Sequence, residues 1–335
     1  MVTSPYFEPY NFKLITLKNA YLDSGRHVVL SSSSKFDKYD MACRIQSLSL
    51  GKYEKAFECS ESHKRLITKS VGDVLYVPTY QNFYHNMIDG VPRAFAATVN
   101  RKMDVVMSDS HIKTFNNMYD VLVNWLPCNS LTTYPISASI IMCYGTESRL
   151  KADKLSFLST SEKSSKMDVR HVNKRIALAF WRKFAEDHWP TVKPHRRLFI
   201  RRTVNNPSLS NRCLNQNEIF NFLSKEYGFE EWDPSNHPFI KTAKVFSEAS
   251  FVIGVHGAGM ASIAFCQPET RILELVSMGG KSQIFFGSLA QPGRFKFSQL
   301  SGHLPGRESE LIKGEFEQKF LIDIKKLGKS VLSLL

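Results

Sequence analysis

Between Arg197 and Val276 the sequence alternates between two periodicities, and this stretch limits the fold more than any other. Four short segments read as strands: RLFIRR (197–202), FEEWD (229–233), FVIGV (251–255) and RILELV (271–276). Between them lie segments of helical spacing. LNQNEIFNFLSKEYG (214–228) carries Ile219, Phe220, Phe222 and Leu223 on one face and stops at Gly228, a helix-ending residue. PFIKTAKVFSEAS (238–250) opens on a proline and carries Ile240, Ala243, Val245 and Phe246. GMASIAFC (259–266) can wind into a third helix. FVIGV has no polar residue, which predicts a strand buried on both faces. This β-α-β-α-β-α-β order dictates a parallel, doubly wound sheet.

The first half is less regular. HVVLSS (27–32), DVLYVP (73–78), MDVVMS (103–108) and SIIMCY (139–144) read as strands. Helix-capable pieces separate them, at 85–102 and 112–126. The polar, Ser/Lys-rich stretch 147–168 reads as surface loop. Asp187–Arg197, with two prolines, is the best linker, because each proline disfavours helix in the residue before it. A chain of 335 residues suits two domains of about 150 each. The expected division is one α/β domain over 1–190 and a second over 191–305, with a ligand cleft between them. A helical tail over 306–335 is expected to pack back on the first domain.

No apolar run approaches the ~18 residues of a membrane span. The first residues, MVTSPYFEPYNFK, lack a basic region followed by an apolar core. As given, the sequence reads as cytoplasmic; a Golgi or ER lumen stays open if an anchor has been removed. The six cysteines form no C-x-x-C pair, which argues against a zinc or redox motif. No D-x-D occurs, so nothing supports a divalent ion held on paired carboxylates.

The formal charge is +13, of which +7 falls within residues 174–202, where nine basic residues face two acidic ones. Such a cluster is either a solvated basic face or a local anion site. A nucleic-acid-binding protein is the alternative it raises, but the basic stretch has no recognisable nucleic-acid motif or aromatic platform.

Within the alternating half, His256-Gly257-Ala258-Gly259 follows FVIGV at the carboxyl edge of the sheet, where such folds bind ligands. Glycines let backbone approach a ligand, and the following helix start offers N–H groups to a phosphate. A tight packing turn with a hydrogen-bonded histidine explains the same residues. No G-x-S-x-G occurs and no G-K-[ST] follows directly on the loop's glycines, so hydrolase and P-loop readings drop out. Arg201 and Arg202 close RLFIRR at the same edge; neighbouring strand residues point to opposite faces, so one of them can face a ligand. Arg212 follows in a polar loop. Glu274 sits inside RILELV, either accepting hydrogen bonds from ribose hydroxyls or paired with Arg271 or a backbone N–H. In the first half, His85 and Asp89 stand four apart on a helical segment, so they share a face. Asp89 is a candidate general base, with His85 orienting it or contacting substrate; a surface ion pair is the other reading. Gly90 and Pro92 are expected to end or kink that helix.

Taken in order, YHNMIDGVPRAF, RLFIRR, the R-x-x-N-x-x-E of Arg212, Asn215 and Glu218, VIGVHGAGMAS and RILELV resemble glycosyltransferase family 61. The likeness runs from about Tyr84 to Val276. It implies a GT-B fold: two Rossmann-like domains with parallel sheets facing across a cleft, residues 1–190 binding the acceptor and 191–305 the nucleotide-sugar. It implies inverting, metal-independent transfer of a sugar, xylose or N-acetylglucosamine, from a UDP-sugar to a glycan or glycoprotein hydroxyl, with no cofactor. Carried over, Arg202 and His256, Gly257, Ala258 and Gly259 hold the diphosphate, Arg212 assists, Glu274 holds the ribose and Asp89 is the base. Where the family often has Thr-Asn shortly after the last glycine, this chain has Ala261 and Ser262. A catalytically inactive glycan-binding relative would share most of these residues.

Overall fold

The computed structural model describes residues 12–23, 28–30, 67–77, 82–92, 104–108, 118–125, 130–134, 149–160, 166–202, 212–277, 285–305 and 319–335. The chain divides into two compact units, Met1–Ala177 and Leu178–Leu335. The expected linker, from Trp189 on, is coil, but the division itself falls inside a helix.

In the first unit a six-stranded sheet runs in the order β2-β1-β6-β3-β4-β5. Its strands are β1 (Phe12–Asp23), β2 (Val28–Leu30), β3 (Ile67–Val77), β4 (Asp104–Ser108), β5 (Ser130–Tyr134) and β6 (Arg149–Thr160). The β6-β3-β4-β5 half is parallel. β1 pairs antiparallel with both β2 and β6, so the sheet is mixed rather than wholly parallel. β6 lies where a surface loop is expected. Its Lys and Ser residues hide the strand in the sequence, yet its backbone pairs on both sides, with β1 and β3. The expected strand at 139–144 lies outside the described residues.

One helical segment of this unit, α1, begins at Phe83–His85 and continues as a π-helix over Asn86–Gly90. Asn82 caps it, its side chain accepting from the Tyr84 N–H at 2.9 Å. The Val91 N–H reaches back to the Asn86 carbonyl, the wide i→i+5 closure of a π turn. Gly90 does not end the helix, because Val91 and Pro92 are still helical. The widened turn gives the Pro92 ring space that a regular turn would deny it. The unit also holds α2 (Met118–Trp125) and the start of α3 (Lys166–His188).

The second unit follows the alternating pattern closely. Its strands are β7 (Arg196–Ile200), β8 (Glu230–Trp232), β9 (Ala249–Val255), β10 (Arg271–Val276) and β11 (Lys296–Ser301). They order as β11-β10-β9-β7-β8, and every pairing is parallel. In chain order this is 2-1-3-4-5, a doubly wound α/β sheet whose direction of winding reverses between β7 and β9. The helices are α4 (Gln216–Tyr227), α5 (Phe239–Ser247), a 3-10 helix (Ala258–Phe265), α6 (Gly287–Gly293) and α7 (Ile324–Leu334). α4 ends on Gly228 at φ 67°, the left-handed turn expected from its sequence.

Alternation along the strands sorts the sheet into two faces. Phe199, Phe251, Ile253, Val255, Leu273 and Leu275 form one core with Ile219 and Leu223 of α4 and Leu327 and Val331 of α7. Each such fully buried side chain contributes roughly 1.5–3 kcal/mol. The apolar face of the tail helix therefore lies in the second unit's core; the sequence pointed it toward the first domain. An aromatic cluster of Trp181, Phe184, Phe239 and Phe265 joins α3, α5 and the 3-10 helix.

Ile200, Gly254, Glu274 and Gln299 stand in register as one row across four strands. Gly254 is required there: a Cβ would lie 2.5 Å from the Met260 sulfur and 3.0 Å from the Ile200 Cβ.

Candidate functional site

That row sets the site. Two residues past Ile200 comes Arg202, and two past Gly254 comes His256, so both continue on the row's face beyond the strand ends. The switch point of the sheet lies between these strands, where doubly wound folds form their ligand crevice. Arg202 bridges it, donating from Nη1 to the main-chain carbonyl of His256 at 2.5 Å. Its backbone is pinned on both sides by the buried side chain of Gln216. The Arg202 N–H donates to Gln216 Oε1 at 3.0 Å, and Gln216 Nε2 donates to the Arg202 carbonyl at 3.3 Å.

Arg201 faces the other way. It donates to Asn217 at 2.8 Å and pairs with Glu231 at 2.5 Å, while its N–H extends the ladder to Trp232. Of the two arginines, Arg202 is the one at the crevice.

His256 extends β9, donating its N–H to the Leu275 carbonyl at 2.8 Å. The ring then meets the row: Nδ1 lies 2.5 Å from Glu274 Oε1. Gln299 donates from Nε2 to the second oxygen, Oε2, at 2.7 Å. Glu274 is 0 % exposed, and both its oxygens are engaged inside the sheet face. Its partners are His256 and Gln299 rather than Arg271, which donates to the carbonyls of Leu334 and Leu335. Phe285 and Phe286 stand edge-on to the His256 ring, with centroids at 5.9 and 5.5 Å.

After His256 the loop turns into the 3-10 helix. Met260 makes its first bond, to the Gly257 carbonyl at 3.0 Å. The N–H groups of Gly257, Ala258 and Gly259 precede it and have no partner within the helix, the condition that suits a helix start to an anion. Gly257 is extended, at φ 171°, so its need for glycine is steric: a Cβ would sit 2.9 Å from Arg202 Nη1. Gly259 has ordinary clearance, with the nearest atom of Pro234 at 3.5 Å from a built Cβ. Ala261 and Ser262 are fully buried in the same helix, and the Ser262 hydroxyl has no partner among the described residues.

The remaining candidates are Arg212, His85 and Asp89. Arg212 accepts at its carbonyl from the Phe320 N–H at 2.6 Å. Asn215, three residues on, is a clasp for the tail: its side chain donates to the Ile322 carbonyl at 2.9 Å and accepts from the Ile322 N–H at 3.0 Å. It also donates to Glu218 at 3.0 Å, so the second half of the R-x-x-N-x-x-E motif is occupied in structure. His85 and Asp89 lie in the first unit on α1. The His85 ring stands edge-on to Tyr84 at 5.3 Å. The Asp89 backbone belongs to the π turn, a feature enriched at functional sites, and its side chain lies outside the described residues.

The basic stretch is largely spent on internal partners. Arg182 donates to the carbonyls of Cys266 and Gly293, and Lys183 pairs with Asp187. Arg196 bonds Glu230 and Glu248, and Arg197 the Tyr227 carbonyl. The Glu230 hydrogen bond is the leading reason that the Arg196 guanidinium is held above its usual range. Sequence reasoning missed Gln216 and Gln299. Uncharged and unpatterned, they acquire roles only through long-range register.

An α/β protein with a cationic, N–H-rich wall at its switch point is the class this geometry defines. The family model described as Glycosyltransferase 61 matches residues 83–273, more than half of the chain. The protein belongs to glycosyltransferase family 61 and is a glycosyltransferase. No curated protein sequence matches it. Among solved structures it is similar to the Escherichia coli heptosyltransferase WaaC with ADP, at 9% identity and a TM-score of 0.37 over 80% of this chain and 100% of that one. It is also similar to a glycosyl transferase family 9 structure from Veillonella parvula, at 9% identity and a TM-score of 0.36 over 80% and 97% of the two chains. Likeness at this level says nothing of substrate. No helix among the described residues is long and apolar enough to cross a membrane. No cluster of three His, Cys, Asp or Glu side chains suited to a metal occurs among them.

Proposed function

We propose that the protein transfers a sugar from a UDP-sugar to a hydroxyl of a glycan or glycoprotein with inversion, xylose and N-acetylglucosamine being the favoured sugars. The observation that carries the donor side is the bridge from Arg202 to the His256 loop across the switch point. A diphosphate seated there meets a guanidinium, an imidazole and the N–H groups of Gly257, Ala258 and Gly259. The family resemblance gives Arg212 an assisting part at the same diphosphate.

In the reaction, Asp89 takes the proton of the acceptor hydroxyl, with His85 orienting it. The oxygen attacks the anomeric carbon from the side opposite the diphosphate, and the carbon–oxygen bond to the diphosphate breaks. Charge that develops on the leaving group is met by Arg202 and the His256 loop without a metal ion. The family resemblance gives Glu274 the ribose. Its complete burial and two internal hydrogen bonds favour a different task, that of holding His256.

The test is a screen of nucleotide sugars by thermal shift, followed by UDP release with glycan acceptors. Stabilisation by UDP and one UDP-sugar, with UDP release on adding acceptor, supports the reading. Glycan binding without UDP release would mark an inactive relative. Salt-sensitive binding of nucleic acid with no response to UDP would favour the other class, which the internal pairing of Arg182, Lys183, Arg196 and Arg197 disfavours.

A further inference from the structure

Glu274 has no exposed surface, and its carboxylate lies between His256 on one strand end and Gln299 on the edge strand β11. Gln299 is only partly buried. It lines an open recess of about 600 Å³ together with Gly287, Ser288, Phe297, Ser298 and Ser301. The chain of contacts therefore runs from a solvent-open recess, through an amide, to a buried carboxylate, and from there to the ring at the head of the anion loop.

We propose that Gln299 is a positioning residue that acts on His256 through Glu274. The proposal rests on the reading of His256 as a ligand contact. A carboxylate only accepts hydrogen bonds while ionised, so its two neighbours must both donate. Gln299 donates from its amide to Oε2, and His256 therefore carries its proton on Nδ1 toward Oε1. That fixes the tautomer and the ring plane, so contact with a ligand is made through Nε2. The same relation, a carboxylate orienting a histidine by its far nitrogen, recurs where a ring must present one defined nitrogen. Without the Gln299 donor, Oε2 is buried and unmatched, and the carboxylate gains by turning from His256. Such a turn loosens the hold of Glu274 on Nδ1 of the ring. Register explains why these residues meet: Gly254, Glu274 and Gln299 are direct cross-strand neighbours, and His256 lies two residues beyond Gly254.

Gln299→Met keeps the shape of the side chain and removes its donor. Selective nitrogen-15 labelling of histidine, with His256 assigned from its absence in His256→Gln, reads the ring directly. Wild type is expected to show His256 as the Nδ1–H tautomer when neutral, and Gln299→Met a mixture of the two tautomers. UDP affinity by calorimetry should fall about five- to tenfold, the loss of one buried hydrogen bond acting at one remove. A folded Gln299→Met with the wild-type ring spectrum overturns the proposal, even if its stability is reduced. If that variant does not fold, the wild-type spectrum alone decides, since an Nε2–H tautomer there contradicts the relay. If wild type binds no UDP, the donor reading fails while the ring spectra still test Gln299.

Discussion

Arg202 donates through Nη1 to the main-chain carbonyl of His256 at 2.5 Å, joining the carboxyl ends of β7 and β9 across the switch point of the sheet. The bond couples a cation to the loop whose N–H groups open the 3-10 helix. Its formation depends on a bare Cα at Gly257 and on Gln216 holding the arginine backbone.

Gly257→Ala tests the coupling without touching a charge. The backbone at φ 171° accepts alanine, but the methyl would stand 2.9 Å from Arg202 Nη1, so the guanidinium must move. Stability should stay within about 0.5 kcal/mol of wild type, while UDP affinity falls about tenfold. In a double-mutant cycle the losses from Gly257→Ala and Arg202→Ala should not add, because both act on one guanidinium.

Glu274→Gln leaves the shape and replaces one acceptor oxygen with a donor. It must then face either the His256 N–H or the Gln299 amide with like polarity. Urea unfolding should show a loss of about 1–3 kcal/mol, with weaker UDP binding alongside it. A variant as stable as wild type that binds UDP equally well would contradict the placement of this carboxylate.

Stability should fall at alkaline pH. Burial pushes the Cys213 thiol from 9.0 up to about 12, and burial raises Cys266 further. In the unfolded chain both thiols ionise near pH 9, while the folded chain keeps them neutral. Their contribution is intact below about pH 9 and is lost as pH rises toward 12, by at most about 1.4 kcal/mol per pH unit for each thiol. Urea midpoints in reductant at pH 8 and 10.5, for wild type and Cys213→Ala, measure it; the variant should lose less.

Asp89→Asn should leave UDP binding unchanged and reduce transfer by about 10²- to 10⁴-fold, the usual worth of a general base. Steady-state UDP release with a glycan acceptor gives the result. Transfer at the wild-type rate would move the base to another residue.

The second unit was legible because FVIGV is a continuous apolar run, buried on both faces, RILELV is apolar but for Arg271 and Glu274, and helix signals such as Gly228 punctuate the strands. β6 was not, because its Lys and Ser residues give it the composition of a loop, and its two pairing partners lie far away in sequence. The wall of the site was half legible. Arg202 and His256 stand out by residue type and by position at a strand end. Gln216 and Gln299 carry no charge or periodic signal, and only the parallel register brings Gln299 beside Glu274. The same register places Glu274 against His256 rather than Arg271, which local spacing within β10 suggested.

The central claim, that Arg202 and the His256 loop hold a nucleotide diphosphate, is tested most directly by calorimetric titration of UDP into wild type and Arg202→Ala at fixed salt. The account predicts saturable binding to wild type and a loss of at least tenfold, about 1.4 kcal/mol, in a variant that remains folded. Equal UDP affinity in the two proteins would contradict it.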